Sequence, residues 1–268
     1  MTGTPRGAPP PARGGAGPPL LSGYREHPPP RGVGGPVLCT WERVVPAEEA
    51  GAIEARVLPD GCVDLVWTDG NLTVAGPDRG PVRHALRPGT EIAGARIVPG
   101  RAGEALGWPA SDLRDLRVPL EELWGERAAR LAEELAAAGD PARRRELLAD
   151  ALDDGARRTG SADPLVMEAV RRIEHPGARM HAIGRDLAMS ERQLRRRFLS
   201  AVGYGPKTLH RVLRFRRFLA LAPALAARED TLAACAAELG YADQAHLARE
   251  CRELAGLPPG RLIGAWTS

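Results

Sequence analysis

The sequence predicts an α+β chain: a β-rich N-terminal domain of small-barrel or sandwich type, a helical connector, and an all-α C-terminal domain. The last of these reads as two helix-turn-helix units joined by a long helix. Three observations carry the prediction. Short alternating runs broken by turn residues fill 37–119, helical apolar spacing takes over at Leu120, and the last hundred residues repeat themselves at a fixed offset.

Residues 1–36 hold nineteen Gly or Pro and no apolar periodicity. Such a segment buries too little surface to offset its ordering entropy, so a disordered tail is expected. A β-rich sensor or regulatory domain is expected over 37–119. Ile53, Ala55 and Val57 alternate with Glu54 and Arg56 before the Pro59-Asp60-Gly61 turn. Cys62–Trp67 and Leu72–Ala75 flank Asp69-Gly70, a hairpin turn in which Gly accepts positive φ without steric cost. Glu91–Val98 is a further strand after the Pro88-Gly89 turn.

The helical connector covers 120–160. Leu120, Leu123, Trp124, Leu131 and Leu135 recur at helical spacing until Gly139-Asp140-Pro141 breaks the run. Leu147, Leu148, Ala151 and Leu152 form a second stripe that ends near Gly155. These helices would either cover the β-domain or pair with their copies in a homodimer.

Residues 161–268 carry the argument for function. Val166, Ala169, Val170 and Ile173 line one helix face that stops near His175-Pro176-Gly177. Beyond it, an offset of 53 residues superposes Leu194 on Leu247, Phe198 on Cys251 and Gly203 on Gly256. The same offset superposes Tyr204 on Leu257, Pro206 on Pro259 and Leu209 on Leu262. Six matches at one offset mark an internal duplication. In each copy a short helix (His181–Ala188, then Leu232–Leu239) precedes a tight turn and a second helix. Ser190 and Asp243 are placed to cap those second helices by accepting a backbone N–H. Gly203 and Gly256 fall where a helix ends in a left-handed residue. Between the copies, Pro206–Leu221 reads as one helix with an apolar stripe of Leu209, Val212, Leu213 and Leu219 among Arg211, Arg214, Arg216 and Arg217.

Charge follows the same division. From Pro164 to Leu221 thirteen Lys/Arg stand against four acids, a net of +9, while the whole chain carries only +3. A concentrated basic stretch suits a surface that meets phosphates, although a solvated arginine-rich helix would look the same by charge alone.

Residues 164–268 resemble the DNA-binding domain of the AraC/XylS family of bacterial transcription regulators. The resemblance rests on Gly240-Tyr-Ala-Asp-Gln-Ala-His-Leu-Ala-Arg249 followed by Gly256-Leu-Pro-Pro259. Cys251 departs from the family, which usually has Phe there, and Leu247 fills a commonly aromatic site, so a smaller core and looser docking are expected for the second unit. The resemblance implies a sequence-specific DNA-binding regulator, with double-stranded promoter or operator DNA and RNA polymerase as partners. On the first reading helix the matching candidates are Arg192, Arg195 and Arg196, with Ser190, Gln193 and Arg197 beside them. On the second they are Gln244, His246 and Arg249. Arginine suits guanine O6 and N7, and glutamine suits adenine N6 and N7.

Residues 37–125 resemble an uncharacterised domain that precedes this helix-turn-helix in other bacterial regulators. The motifs are Leu58–Trp67, Val74-Ala-Gly-Pro-Asp78 and Gly107–Arg114 running to Gly125. An effector-responsive activator or repressor is the expectation. Arg56, Asp64, Trp67 and Arg96 could line a pocket for a small-molecule effector, Arg96 suiting an anionic group. The alternative is that Trp67 is core and the charges lie on the outer face of a sheet.

Other classes lack their motifs. The chain has no HExxH, P-loop, GxGxxG or nucleophile motif, so no enzyme, cofactor or metal is expected. A methyl-transfer sensor would use Cys39 or Cys62 as its acceptor, but neither sits among zinc-ligand partners. Cys39, Cys62, Cys235 and Cys251 form no CxxC pair and read as small hydrophobes in a reducing cytoplasm. No apolar run approaches the ~20 residues of a membrane span, and a cytoplasmic, nucleoid-associated protein is expected.

Overall fold

The computed structural model describes residues 23–30, 34–48, 53–227 and 230–265. Eight strands and twelve helices follow in chain order among them. The first part runs β1 (Tyr24–His27), β2 (Val37–Val44), β3 (Ile53–Val57), β4 (Val63–Thr68), β5 (Asn71–Ala75), β6 (Val82–Leu86) and β7 (Glu91–Ile97). It continues through α1 (Ala102–Leu106), α2 (Ala110–Leu113), β8 (Arg117–Pro119), α3 (Leu120–Trp124), α4 (Glu126–Ala137) and α5 (Pro141–Thr159). The second part is helical: α6 (Pro164–Ile173), α7 (Met180–Asp186), α8 (Glu191–Val202), α9 (Pro206–Ala226), α10 (Leu232–Glu238), α11 (Gln244–Ala255) and α12 (Pro259–Gly264).

The main sheet is antiparallel with order β1-β2-β7-β4-β5-β8, and β3 pairs β6 in a separate ribbon. The predicted hairpin is present: Asp69 and Gly70 both take positive φ, and Thr68 faces Asn71 across the turn. Positive φ at both central positions matches the twist of the flanking strands. Strand β1 corrects the expected tail. Tyr24–His27 pairs with Thr40–Arg43 inside the segment 1–36 that composition assigns to disorder. The rest of that expectation, over 1–22 and 31–33, lies outside the described residues.

Alternation along β4 sorts the sheet's two faces. Val63, Leu65 and Trp67 point into the core with Ala93, Ala95 and Ile97 of β7. Leu120, Leu131, Leu135, Leu148 and Leu152 close that core from above, so the helices of 120–160 cover the β-domain of their own chain. The single helix expected from Leu120 is broken at Gly125, whose φ of 54° and ψ of −135° separate α3 from α4. Asp140 caps α5 by accepting from the Ala142 N–H.

The C-terminal part has two cores, one per unit. The first gathers Val166, Val170, Ile173, Leu194, Phe198 and Leu209. The second gathers Phe215, Phe218, Cys235, Leu247, Cys251 and Leu262. The duplication holds its offset from the reading helices onward: α8 and α11 are twelve residues each, and both their starts and those of α9 and α12 lie 53 residues apart. The smaller second core expected from Cys251 is not what forms. Phe215 and Phe218 of α9 enter it fully buried and supply the volume that Cys251 lacks.

Candidate nucleic-acid interface

Each reading helix begins with a cap. Ser190 Oγ accepts from the Gln193 N–H at 3.3 Å, and Gln193 Oε1 accepts in return from the Ser190 N–H at 2.9 Å and hydroxyl at 2.8 Å. This reciprocal box satisfies two otherwise orphaned donors. It bears out the expected capping role of Ser190, whose side chain is engaged in the cap, and it turns Gln193 Oε1 back into the same box. Asp243 caps α11 by accepting from the His246 N–H at 2.6 Å. Both helices end at glycines in the left-handed region, Gly203 at φ 91° and Gly256 at φ 67°.

The buried faces are narrow. Leu194, Phe198 and Val202 bury one side of α8, and Leu247, Glu250, Cys251, Leu254 and Ala255 one side of α11. What remains is exposed at the N-terminal end of each helix, including Arg192, Gln193, Arg195 and Arg196 on α8 and Gln244 and Arg249 on α11. Arg192, Arg195, Arg196 and Arg249 have no hydrogen-bond or ion-pair partner among the described residues.

Two candidates are engaged elsewhere. Arg197 donates to Asp163 at 2.7 Å, and the same carboxylate caps α6 through the Leu165 and Val166 N–H groups. Arg197 therefore ties α8 to α6. His246 is half-buried, its ring edge-on to Tyr241 with centroids 5.3 Å apart. Its Nδ1 accepts from the Ala242 N–H at 3.4 Å, and its Nε2 lies 3.8 Å from Glu250.

The basic charge of α9 is also internal. Arg211 reaches Glu250 at 2.8 Å and also Glu253, while Arg214 reaches Glu250 at 2.9 Å and the Gly240 carbonyl at 3.1 Å. Arg214 further lies over the Tyr241 ring, 4.0 Å from its centroid. Arg217 donates to the Ile173 and Glu174 carbonyls at the end of α6, and Arg216 to the Asp60 carbonyl of the N-terminal domain. The net of +9 thus divides into arginines that hold the units together and a smaller set free to meet a partner.

The four residues expected to line an effector pocket are not brought together. Trp67 lies in the core, with the Arg144 guanidinium 4.4 Å above its ring. Asp64 faces Arg96 on the opposite side of the sheet. An odd separation along one strand already puts Asp64 and Trp67 on opposite faces. Arg56 sits on β3 and donates to the Ala255 carbonyl at 2.8 Å. Arg96 has no room for an anion. It is enclosed by Glu26 at 2.9 Å, Asp60 at 3.0 Å and Asp64 at 3.1 Å. Trp41 fills the same face, lying so close over Gly94 that a Cβ there would fall 2.1 Å from its ring.

Within this cluster, burial pushes the Asp64 carboxyl up to about 6, with Arg96 opposing and Asp60 reinforcing the rise. For Asp60 burial also disfavours the charge, yet Arg96 and Arg216 outweigh it and hold the carboxyl below its ordinary value. Burial likewise pushes the Cys39 thiol up to about 12 and raises Cys62, so neither is a ready thiolate at neutral pH. Among the described residues no group of three or more His, Cys, Asp or Glu side chains could hold a metal ion, and no helix is long and apolar enough to cross a membrane.

Two family matches cover most of these elements. Residues 183–264 match a family described as a helix-turn-helix domain, and residues 25–119 match a family described as a domain of unknown function. Among solved structures, ToxT from Vibrio cholerae O395 aligns with a TM-score of 0.44 at 9% identity, covering 92% of this chain and 99% of that one. A second ToxT structure from Vibrio cholerae aligns with a TM-score of 0.43 at 9% identity, covering 85% and 99%. No curated protein matches the chain.

Proposed function

We propose that this chain, whose residues 183–264 form an AraC-type helix-turn-helix domain, is a DNA-binding transcription regulator that reads two adjacent major-groove segments of one operator. The observation that carries the reading is the pair of twelve-residue helices, α8 and α11, each presenting its N-terminal turns to solvent. In helix-turn-helix proteins those turns contact base edges. The unpartnered Arg192, Arg195, Arg196 and Arg249, with Gln193 and Gln244, are the residues proposed to do so. Because one chain holds both readers, a single copy suffices for a two-part site, and self-association is not required by DNA geometry.

In this reading the N-terminal domain regulates the reader, and RNA polymerase is the expected partner of the bound protein. An effector would act where the domains meet. A cleft of about 630 Å³ opens there between Arg79, Pro81 and Asp115 on one side and Thr208, Arg211 and Leu254 on the other.

Selection of bound duplexes from a random pool, at near-physiological salt and with the full chain, tests the proposal. A two-part motif is expected, its halves about one turn of DNA apart, roughly 34 Å. Binding with steep salt dependence and no motif would instead indicate a sequence-independent DNA coater.

A further inference from the structure

The duplication extends to something outside the duplicated region. Arg114 donates to the Gly203 carbonyl at 3.0 Å, at the C-cap of α8. Arg56 donates to the Ala255 carbonyl at 2.8 Å, the last residue of α11. The last carbonyls of a helix have no partner within it and carry the negative end of its dipole, so a guanidinium there meets both needs. Each reading helix is therefore held at its C-terminal end by an arginine of the N-terminal domain, while its N-terminal end stays exposed.

One loop touches both ends. Between β5 and β6, Pro77 lies against Gly203 so closely that a Cβ on that glycine would fall 2.5 Å from its Cγ. Pro81 lies against Gly256, at 3.6 Å on the same measure. The loop itself is pinned. Asp78 receives Arg117 at 2.6 and 3.0 Å, Arg79 grips Asp115 through its backbone and side chain at 2.9 and 2.7 Å, and the Gly76 N–H donates to the Leu116 carbonyl at 3.0 Å. Those anchors lie in the segment 115–117, directly after Arg114. Loop 76–81 and segment 114–117 thus form one stiff bracket, with Arg56 completing the grip on the second helix.

We infer that this bracket sets the relative orientation of α8 and α11, with Arg56 and Arg114 as the positioning residues that fix how far apart on DNA the two half-elements must lie. The inference rests on the two-part reading proposed above. Neither arginine needs to touch DNA. Loosening either grip leaves each helix able to read its own half but frees the distance between the halves.

The test is a spacing series. The duplex recovered by selection with the full chain is remade with its two halves one base pair closer or farther apart, and binding is measured for the parent protein, Arg56→Ala, Arg114→Ala and the double variant. The parent is expected to lose about tenfold in affinity for either altered spacing, and the alanine variants to lose no more than about threefold. Base preferences within each half should not change. Arg56→Lys and Arg114→Lys keep a cationic donor for one carbonyl and should restore the strict spacing. A purely structural role would lower thermal stability but leave the spacing profile of the folded fraction as it is in the parent. That result overturns the bracket while leaving the two-part reader standing. If selection yields no two-part motif, both fail.

Discussion

Arg214 and Glu250 form a 2.9 Å ion pair at the junction of the long helix and the second reading helix, with side chains only 10% and 6% exposed. The pair fastens α11 to α9, and His246 and Arg249 line the same cleft beside it. Removing one partner of a buried pair leaves the other charged and desolvated, which typically costs 3–5 kcal/mol. Arg214→Met is expected at the lower end, about 3 kcal/mol, because Arg211 still reaches the same carboxylate oxygen. Denaturant unfolding measures it, and a loss below about 1 kcal/mol would contradict the arrangement. The double variant Arg214→Met/Glu250→Leu should be less damaging than Arg214→Met alone.

Asp64 gives the fold a signature in acid. Burial raises its carboxyl to about 6, above the ~3.9 expected of an unfolded chain. The folded state therefore holds that proton more tightly, and stability falls as pH rises from about 4 through about 6. Asp64→Asn removes this component. Its stability relative to the parent should improve between pH 5 and pH 7.5, as followed by thermal unfolding across that window. A pH-independent difference would show that Asp64 does not titrate there.

Arg196 and Arg197 are neighbours with opposite expected phenotypes. Arg196 has no partner among the described residues, whereas Arg197 joins α8 to the cap of α6. Arg196→Ala should change stability by less than about 0.5 kcal/mol. It should weaken binding to the selected duplex by about 1–3 kcal/mol and relax preference in one half only. Arg197→Ala should lower stability by about 1 kcal/mol, the scale of a lost cap or partly exposed ion pair, and leave base preference alone. If the two variants behave alike, the division between reading and bracing arginines is wrong.

Ala188 occupies the left-handed region at φ 53°, in the turn between α7 and α8. The corresponding turn of the second unit uses Gly240 at φ 74°. A side chain there costs roughly 1–2 kcal/mol, against the ~0.4–1 kcal/mol that glycine loses through unfolded-state entropy. Ala188→Gly should therefore stabilise the first unit by up to about 1 kcal/mol, read as a raised denaturant midpoint at unchanged slope. Destabilisation would mean that the Ala188 methyl makes contacts outweighing the strain.

What the sequence made legible was local chemistry and repetition. Ser190, Asp243, Gly203 and Gly256 are found where capping rules place them, because a cap depends on residues within one turn. The Asp69-Gly70 turn is legible for the same reason. Strand β1 was hidden by averaging: Tyr24–His27 is a short stretch in a Pro- and Gly-rich neighbourhood, and its partner lies across an intervening loop. Strand β6 carries Arg83 and His84 and pairs with β3, twenty-five or more residues earlier, so no local alternation reveals it. Charge counting could not separate reading arginines from bracing ones. The acceptors of Arg214, Arg216 and Arg217 include backbone carbonyls at Gly240, Asp60 and Glu174, which have no sequence signature.

The shared helix α9 has a further consequence for how such a protein can change. It contributes Leu209 and Leu213 to the first core and Val212, Phe215 and Phe218 to the second. One residue inserted between Leu213 and Phe215 would turn most of the second unit by about 100° and advance it by about 1.5 Å. Its reading face would then point away from the duplex instead of one step along it. The distance between half-elements is therefore not a quantity that small insertions or deletions can tune. A lineage with this architecture would acquire new targets by exchanging side chains on α8 and α11, and would keep its operator geometry for as long as α9 keeps its length and Arg56 and Arg114 keep their grips.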